Sequence, residues 1–226
     1  MNENGAGMYY PVMLDITGKR CVVVGGGTIA ERKIESLLAS KANVTVISPA
    51  LTNRIEEWAA AGKITVLLRG FEPGDTEGAL LVIAASNVED VNEKVCTEAR
   101  DAGRLVSVVD RPETGSFIVP AAFTRGKLQV AVSTSGASPA LARDMVRELK
   151  DEYGPEYATY LDFLSEFRLK VRQLVKDAEH RHALAREIVR IDLLERIRRG
   201  EFESFRRELM HKLEAEPESF GLEAWL

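Results

Sequence analysis

The chain has 226 residues, 45% hydrophobic and 29% charged, with a formal net charge of −5. This balance suits a globular protein large enough to bury a core; the acidic total argues against a general nucleic-acid partner, and no apolar run nears the roughly 20 residues needed to span a membrane. The opening MNENGAGMYYPVMLDI lacks the basic and apolar runs of an export signal, and two isolated cysteines, Cys21 and Cys96, suit a reducing cytoplasm.

In chain order, Tyr9–Asp15 reads as an edge strand and Arg20–Val24 as the first core strand. That strand runs into Gly25-Gly26-Gly27-Thr28-Ile29-Ala30, a G-x-G-x-x-A turn, and then into the helix formers Glu31, Arg32 and Lys33. Gly25 permits a tight turn, Gly27 leaves no side chain between backbone and a pyrophosphate, and Ala30 lets the helix pack close to the sheet. The first N–H groups of that helix then face the phosphates. Strand, turn and helix in this order favour a bound dinucleotide over a purely structural turn.

The helix, Thr28–Ser40, is expected to bury Ile29, the Lys33 stem, Leu37 and Leu38. Asn43–Ile47 is the second strand, followed by Ser48-Pro49-Ala50 and a helix capped by Thr52 that runs through Ala61. Ile64–Leu68 and Leu80–Ala84 read as strands, Asn87 as the cap of a helix ending near Gly103, and Leu105–Val109 as the last strand of the unit. This order predicts an α/β fold with a Rossmann-like, doubly wound parallel sheet.

Past residue 110 the rhythm changes. Ser116–Val119 and Leu128–Ser133 are expected to form an antiparallel pair turning near Arg125-Gly126, and Ser138-Pro139 to start a helix. Beyond Gly154-Pro155 the chain reads as a helical domain. Its apolar stripes are Tyr160, Leu164, Phe167, Val171, Leu174; then Leu184, Ile188, Ile191, Leu194; then Phe202, Phe205, Leu209, Leu213. The expected division is residues 1–113, 114–150 and 151–226.

Ligands of open α/β sheets gather at the carboxyl ends of the strands. Three segments meet that condition: Gly25 to Ile29, Ser48-Pro49-Ala50, and Ala84-Ala85-Ser86-Asn87, of which Ala85 and Ser86 are the candidate cofactor contacts. Ser48 stands where an acidic ribose anchor is usual, so a hydroxyl or backbone groups must hold the ribose. No arginine follows at once for a 2′-phosphate, which favours NAD over NADP. Asp110, directly after the last strand, reads equally as a turn residue before Arg111-Pro112 or as a general base. Between Asp110 and Lys150 there are six basic and four acidic residues. Arg125, Lys127, Arg143 and Arg147 are candidates to hold carboxylates. Ser133-Thr134-Ser135 leads into a helix N-terminus that can take an anion. His180, His182 and His211 lie in the helical tail without metal-ligand spacing, and no metal is expected.

Four ordered segments, YPVMLDITGKRCVVVGGGTIAERK, VIAASNVEDVN, VVDRPETGSFIVPA and VAVSTSGASPALAR, resemble the precorrin-2 dehydrogenase family, the dehydrogenase module of siroheme synthase. The resemblance runs from Tyr9 to Lys150 and continues more loosely through the helical tail. It implies an NAD-dependent oxidoreductase that converts precorrin-2 to sirohydrochlorin. In some members ferrous iron is a second substrate, inserted by a ferrochelatase activity. It also implies a cytoplasmic homodimer with an intertwined middle segment, making 1–113 the NAD-binding domain and 114–150 the dimerisation and substrate segment.

Carried over by position, the glycine turn with Thr28 and Ile29 takes NAD, and Pro49 and Ala50 line the adenosine side. Asp110 matches the family's catalytic aspartate. The polycarboxylate substrate suits the basic segment, with Arg111, Arg125, Arg143, Ser133, Thr134 and Ser135 as its contacts. Thr134 stands where the family often has serine, keeping the hydroxyl. The rival reading is an NAD-sensing regulatory module that needs neither Asp110 nor a substrate cleft.

Overall fold

Cys21–Val24 are all buried and form the centre of a five-stranded parallel sheet in a computed structural model that describes residues 9–225. Strands β1 (Arg20–Val24), β2 (Asn43–Ile47), β3 (Thr65–Leu67), β4 (Leu81–Ala84) and β5 (Leu105–Val108) lie in the order β3-β2-β1-β4-β5. Successive strand side chains point to opposite faces. Cys21 and Val23 therefore join Val44, Val46 and Ile83 in one core, with helices α1 (Thr28–Ala39) and α2 (Asn53–Ala60). Val22 and Val24 join Val82, Ala84 and Val106 in the other, with helix α3 (Glu89–Asp101). Helices on both faces explain why β4 is apolar at every position and β1 at all but Arg20.

All five strands end level, with Leu67 of β3 opposite Ile47. Val24 is the register partner of both Ile47 and Ala84, and Ala84 of Val108. Chain direction across the sheet reverses between β1 and β4, which opens a crevice at their carboxyl ends.

Some local expectations fail for identifiable reasons. Tyr9–Asp15 forms no strand: Pro11 lacks an N–H for a ladder, and Asp15 instead accepts a hydrogen bond from Thr17 N–H at 3.0 Å. Helix α1 buries Leu37 as expected, but Ala30 and Ile34 take the inward places expected of Ile29 and the Lys33 stem, and Ile29 is 49% exposed. Helix α3 begins after Val88, with no side-chain cap from Asn87; the Ser86 hydroxyl accepts from Val88 N–H in its stead. Ser116–Val119 is not a strand either. Ser116 and Phe117 N–H both donate to the Val106 carbonyl rather than forming a ladder, and the strand begins after Pro120.

The β3–β4 connection is pinned by ions. Arg69 grips Asp75 through paired bonds of 2.7 Å, and this holds the Asp75 carboxyl below the usual carboxylate range. Burial opposes ionisation of Glu98. The Thr76 hydroxyl and the N–H groups of Gly74 and Thr76 outweigh that, and its pKa is lowered. A carboxylate with a depressed folded pKa stabilises the fold above its unfolded pKa, and this is lost as pH falls through the folded value. Thermal unfolding is therefore expected to be level near neutrality and to fall below the ordinary carboxylate range. In Asp75→Asn the acid-side fall should be shallower; an identical fall would remove this pair from the account.

The boundary between two compact units lies between Val119 and Pro120. In the second unit β6 (Ala121–Arg125) and β7 (Leu128–Val132) form an antiparallel hairpin whose turn uses Gly126 at φ +55°. Helix α4 (Pro139–Glu152) packs on it, with Ser138 capping Leu141 N–H as expected. Helices α5 (Glu156–Leu174), α6 (Ala178–Glu187), α7 (Leu193–Arg198) and α8 (Phe202–Ala215) share a core of Phe163, Phe167, Val171, Leu184, Leu193, Phe205, Leu209 and Leu213. Phe163 and Leu193 are buried more deeply than Tyr160 and Leu194, because an inward helical face is broader than a single line of positions.

Candidate functional site

The glycine turn leaves β1 at the crevice and is fixed from both sides. Gly25 N–H donates to the Ile47 carbonyl at 2.9 Å, and Ala85 N–H donates to the Val24 carbonyl at 2.8 Å. Gly25 has φ +126°, and a Cβ there would run into the Ala85 carbonyl, so glycine is required on both counts. At Gly26 a Cβ would meet the Ala50 carbonyl and lie 2.8 Å from the Ser48 hydroxyl.

Gly27 differs from both. It has φ −86°, an ordinary value, and a Cβ would meet no protein atom within 4 Å. Gly27, Thr28 and Ile29 are exposed at the start of α1, and no side chain caps that helix. Its first-turn N–H groups have no intrahelical acceptor. This open lip is the geometry a pyrophosphate requires.

Pro49 and Ala50 stand exposed beside the lip, whereas Ser48 is buried. The Ser48 hydroxyl donates to the Ala50 carbonyl at 2.6 Å, so it braces its own loop. Ala50 N–H faces the same hydroxyl at 3.4 Å, so the Pro49 carbonyl is the backbone group of this loop that lies outside the brace. Thr52 N–H donates to the Gly26 carbonyl at 3.0 Å and the Thr52 hydroxyl to Glu31 at 2.6 Å, tying the second strand's loop to the glycine turn.

On the other side of the crevice, Asn92 of α3 is 1% exposed and spends its amide on two loops. Its Oδ1 accepts from Ser86 N–H at 3.1 Å, and its Nδ2 donates to the Ser86 carbonyl at 3.0 Å. The same Nδ2 lies 3.2 and 3.3 Å from the two carboxylate oxygens of exposed Asp110. Ala85-Ser86 and Asp110 are thus brought together at the carboxyl edge.

Arg111 does not reach outward as expected of a substrate contact. It pairs with Glu89 at 3.1 Å and Glu93 at 2.7 Å on α3, bonds that raise its pKa, the Glu93 bond most. Its role in the structure is to fasten the segment after β5.

In the second unit, Arg125 donates to the carbonyls of Tyr153 at 2.8 Å and Lys150 at 2.9 Å, closing the end of α4. Ser133 Oγ accepts from Ser135 N–H and Thr134 Oγ1 from Ser138 N–H, which shapes the loop before α4. Ser135, at φ +51°, and Arg143 are exposed. Lys127 pairs with Asp162 and Arg147 with Asp144.

Comparisons with known proteins agree with this geometry. An NAD(P)-binding family profile matches residues 12–121, and one described as sirohaem biosynthesis protein central matches residues 125–152. The precorrin-2 dehydrogenase of Priestia megaterium is 35% identical over 180 residues, covering 80% of this chain and 89% of the relative. The chain belongs to the precorrin-2 dehydrogenase family.

A solved structure of SirC, a precorrin-2 dehydrogenase, shares 33% identity with this family member, with a TM-score of 0.76 over 90% of this chain and 100% of that one. The siroheme synthase of Nitrosococcus oceani is 36% identical over 195 residues; the match covers 86% of this chain and 42% of that longer relative. In this precorrin-2 dehydrogenase family member, Asn92, Glu89 and Glu93 were not among the site residues expected from sequence. Asn92 carried a readable signal. It sits in phase with buried Val95, Cys96 and Ala99, a polar residue where the helix faces the core.

Proposed function

We propose that this chain oxidises precorrin-2 to sirohydrochlorin, with bound NAD accepting a hydride. The residues present fit the cofactor: the uncapped start of α1 and the open space at Gly27 form a cradle that a Cβ would fill. The second hydrogen leaves the substrate as a proton, and Asp110 is the group that takes it and returns it to solvent. The observation that carries the reading is the Asn92 bridge, which ties the Asp110 carboxylate to the Ser86 backbone at the same sheet edge as the glycine turn. Anaerobic incubation with precorrin-2 is expected to give sirohydrochlorin in the presence of NAD. Substrate that stays reduced with NAD bound would overturn the reading.

Asn92 is a positioning residue here. Asn92→Asp keeps an acceptor for Ser86 N–H but replaces the donor facing Asp110 with a second carboxylate. Turnover is expected to fall roughly tenfold to a hundredfold, the scale of a misplaced catalytic group, while the KM for NAD changes little. A thermal melt identifies any loss due to unfolding. An unchanged kcat in the folded variant would make the Asn92–Asp110 contact incidental.

Arg143 and Ser135 are the expected substrate contacts whose side chains have no partner among the described residues, and we retain them for carboxylate binding. Ferrous iron enters the same reading as a second substrate, with Asp110 taking up displaced pyrrole protons. The homodimer is supported by the two-stranded β6–β7 sheet, whose outer edges pair with no other described strand, and by exposed Leu141 and Met145 on α4. Two buried, unpaired cysteines support a cytoplasmic setting.

A further inference from the structure

Helices α5 and α6 and the turn Ile188–Arg190 enclose a groove of about 460 Å³, made wholly of residues of the second unit. Its floor is apolar, with Phe167, Val171 and Ile188, and its rim carries Arg168, Arg172 and Arg181. None of its lining residues is acidic. Elsewhere in this unit, Lys170 of α5 pairs with Glu214, Arg206 of α8 with Glu166, and Arg198 of α7 with Glu156. Among the described residues, the three rim arginines have no carboxylate within 4.0 Å. Arg181 is held in place by one terminal nitrogen, which donates to the carbonyls of Val175 at 3.0 Å and Lys176 at 2.6 Å. Residues 168–190 contain seven Arg and Lys against three Asp and Glu, in a chain that is −5 overall.

We propose that this groove binds a small amphipathic carboxylate, its apolar body on the floor and its acid group on the rim arginines. The volume lies in the range of small-molecule sites. A partner protein needs roughly 800 Å² on each side for a stable interface, more than ten lining residues supply. A bare inorganic anion would leave the apolar floor in water, and a neutral apolar ligand would leave the arginines unmatched. Arginine suits a carboxylate through paired hydrogen bonds. Two sources share this chemistry, a fatty acid and a tetrapyrrole polycarboxylate.

The test uses the full chain saturated with NAD, so that a dye cannot report on the dinucleotide site. Anilinonaphthalene sulfonate is titrated as the fluorescent probe and then displaced with dodecanoate, uroporphyrin or neutral dodecanol. Saturable binding, displaced by either acid and not by dodecanol, is expected; the acid that displaces names the source. In Arg168→Gln/Arg172→Gln the affinity for the dye and the displacing acid should fall at least about tenfold. Both side chains are exposed, so the thermal midpoint and dehydrogenase activity should be unchanged. Unchanged affinity in that variant, equal competition by dodecanol, or no displacement by either acid would overturn the proposal.

Discussion

Asp110→Asn is expected to lower turnover by roughly 10²-fold or more, the scale of a lost general base, with NAD affinity little changed. Asparagine nearly matches aspartate in size, and its amide oxygen still accepts from Asn92 Nδ2, so the Ser86 loop keeps its support. Arg111 remains fastened to Glu89 and Glu93, which do not depend on the changed group. Asp110 is exposed, so stability should stay within about 0.5 kcal/mol of the parent, as for most surface substitutions. What disappears is the proposed proton acceptor. Steady-state kinetics beside an NAD titration separate these effects, and near-normal turnover would leave Asp110 a turn residue ahead of Pro112.

Gly27→Val should abolish NAD binding and leave the fold intact. The backbone at Gly27 has φ −86°, which valine adopts without strain, and the space around an added Cβ holds no protein atom. The side chain therefore acts only by filling the place of the pyrophosphate. Gly26→Ala is the contrasting control. There the new Cβ meets the Ala50 carbonyl and the Ser48 hydroxyl, so lost binding should come with lost stability of about 1–3 kcal/mol, the cost of overpacking. Titration calorimetry and thermal melts on the two variants distinguish a blocked ligand site from a damaged turn. Unchanged NAD affinity in Gly27→Val would remove the phosphate-turn reading.

The glycine turn and the parallel sheet were legible because their signals are local. A strand, a turn and a helix follow one another within about a dozen residues, and the central strands carry apolar runs, Cys21–Val24 and Leu81–Ala84. Asp110 was legible as a position, directly after the last strand, but not as a geometry. Its partner Asn92 lies on another element, and only the inward phase of Asn92 on α3 hinted at a buried polar bridge.

Long side chains were least legible. Nothing in the order of residues shows that Arg111 is spent on α3 carboxylates or Arg125 on the carbonyls ending α4. Small hydroxyls misled in the same way, since Ser48, Ser133 and Thr134 satisfy their own loops. The tail's core faces were readable to within a neighbouring position, as Phe163 and Leu193 show.

The most direct test of the central claim is a stoichiometric one. Purified chain is incubated anaerobically with a limiting amount of precorrin-2 and excess NAD, and reduced nicotinamide and sirohydrochlorin are counted in the same sample. Hydride transfer to the cofactor with proton transfer to Asp110 predicts equal amounts of the two products, none without NAD, and a matching loss of both in Asp110→Asn. Saturable NAD binding with no reduced nicotinamide formed would contradict it and leave the chain a nucleotide-sensing module.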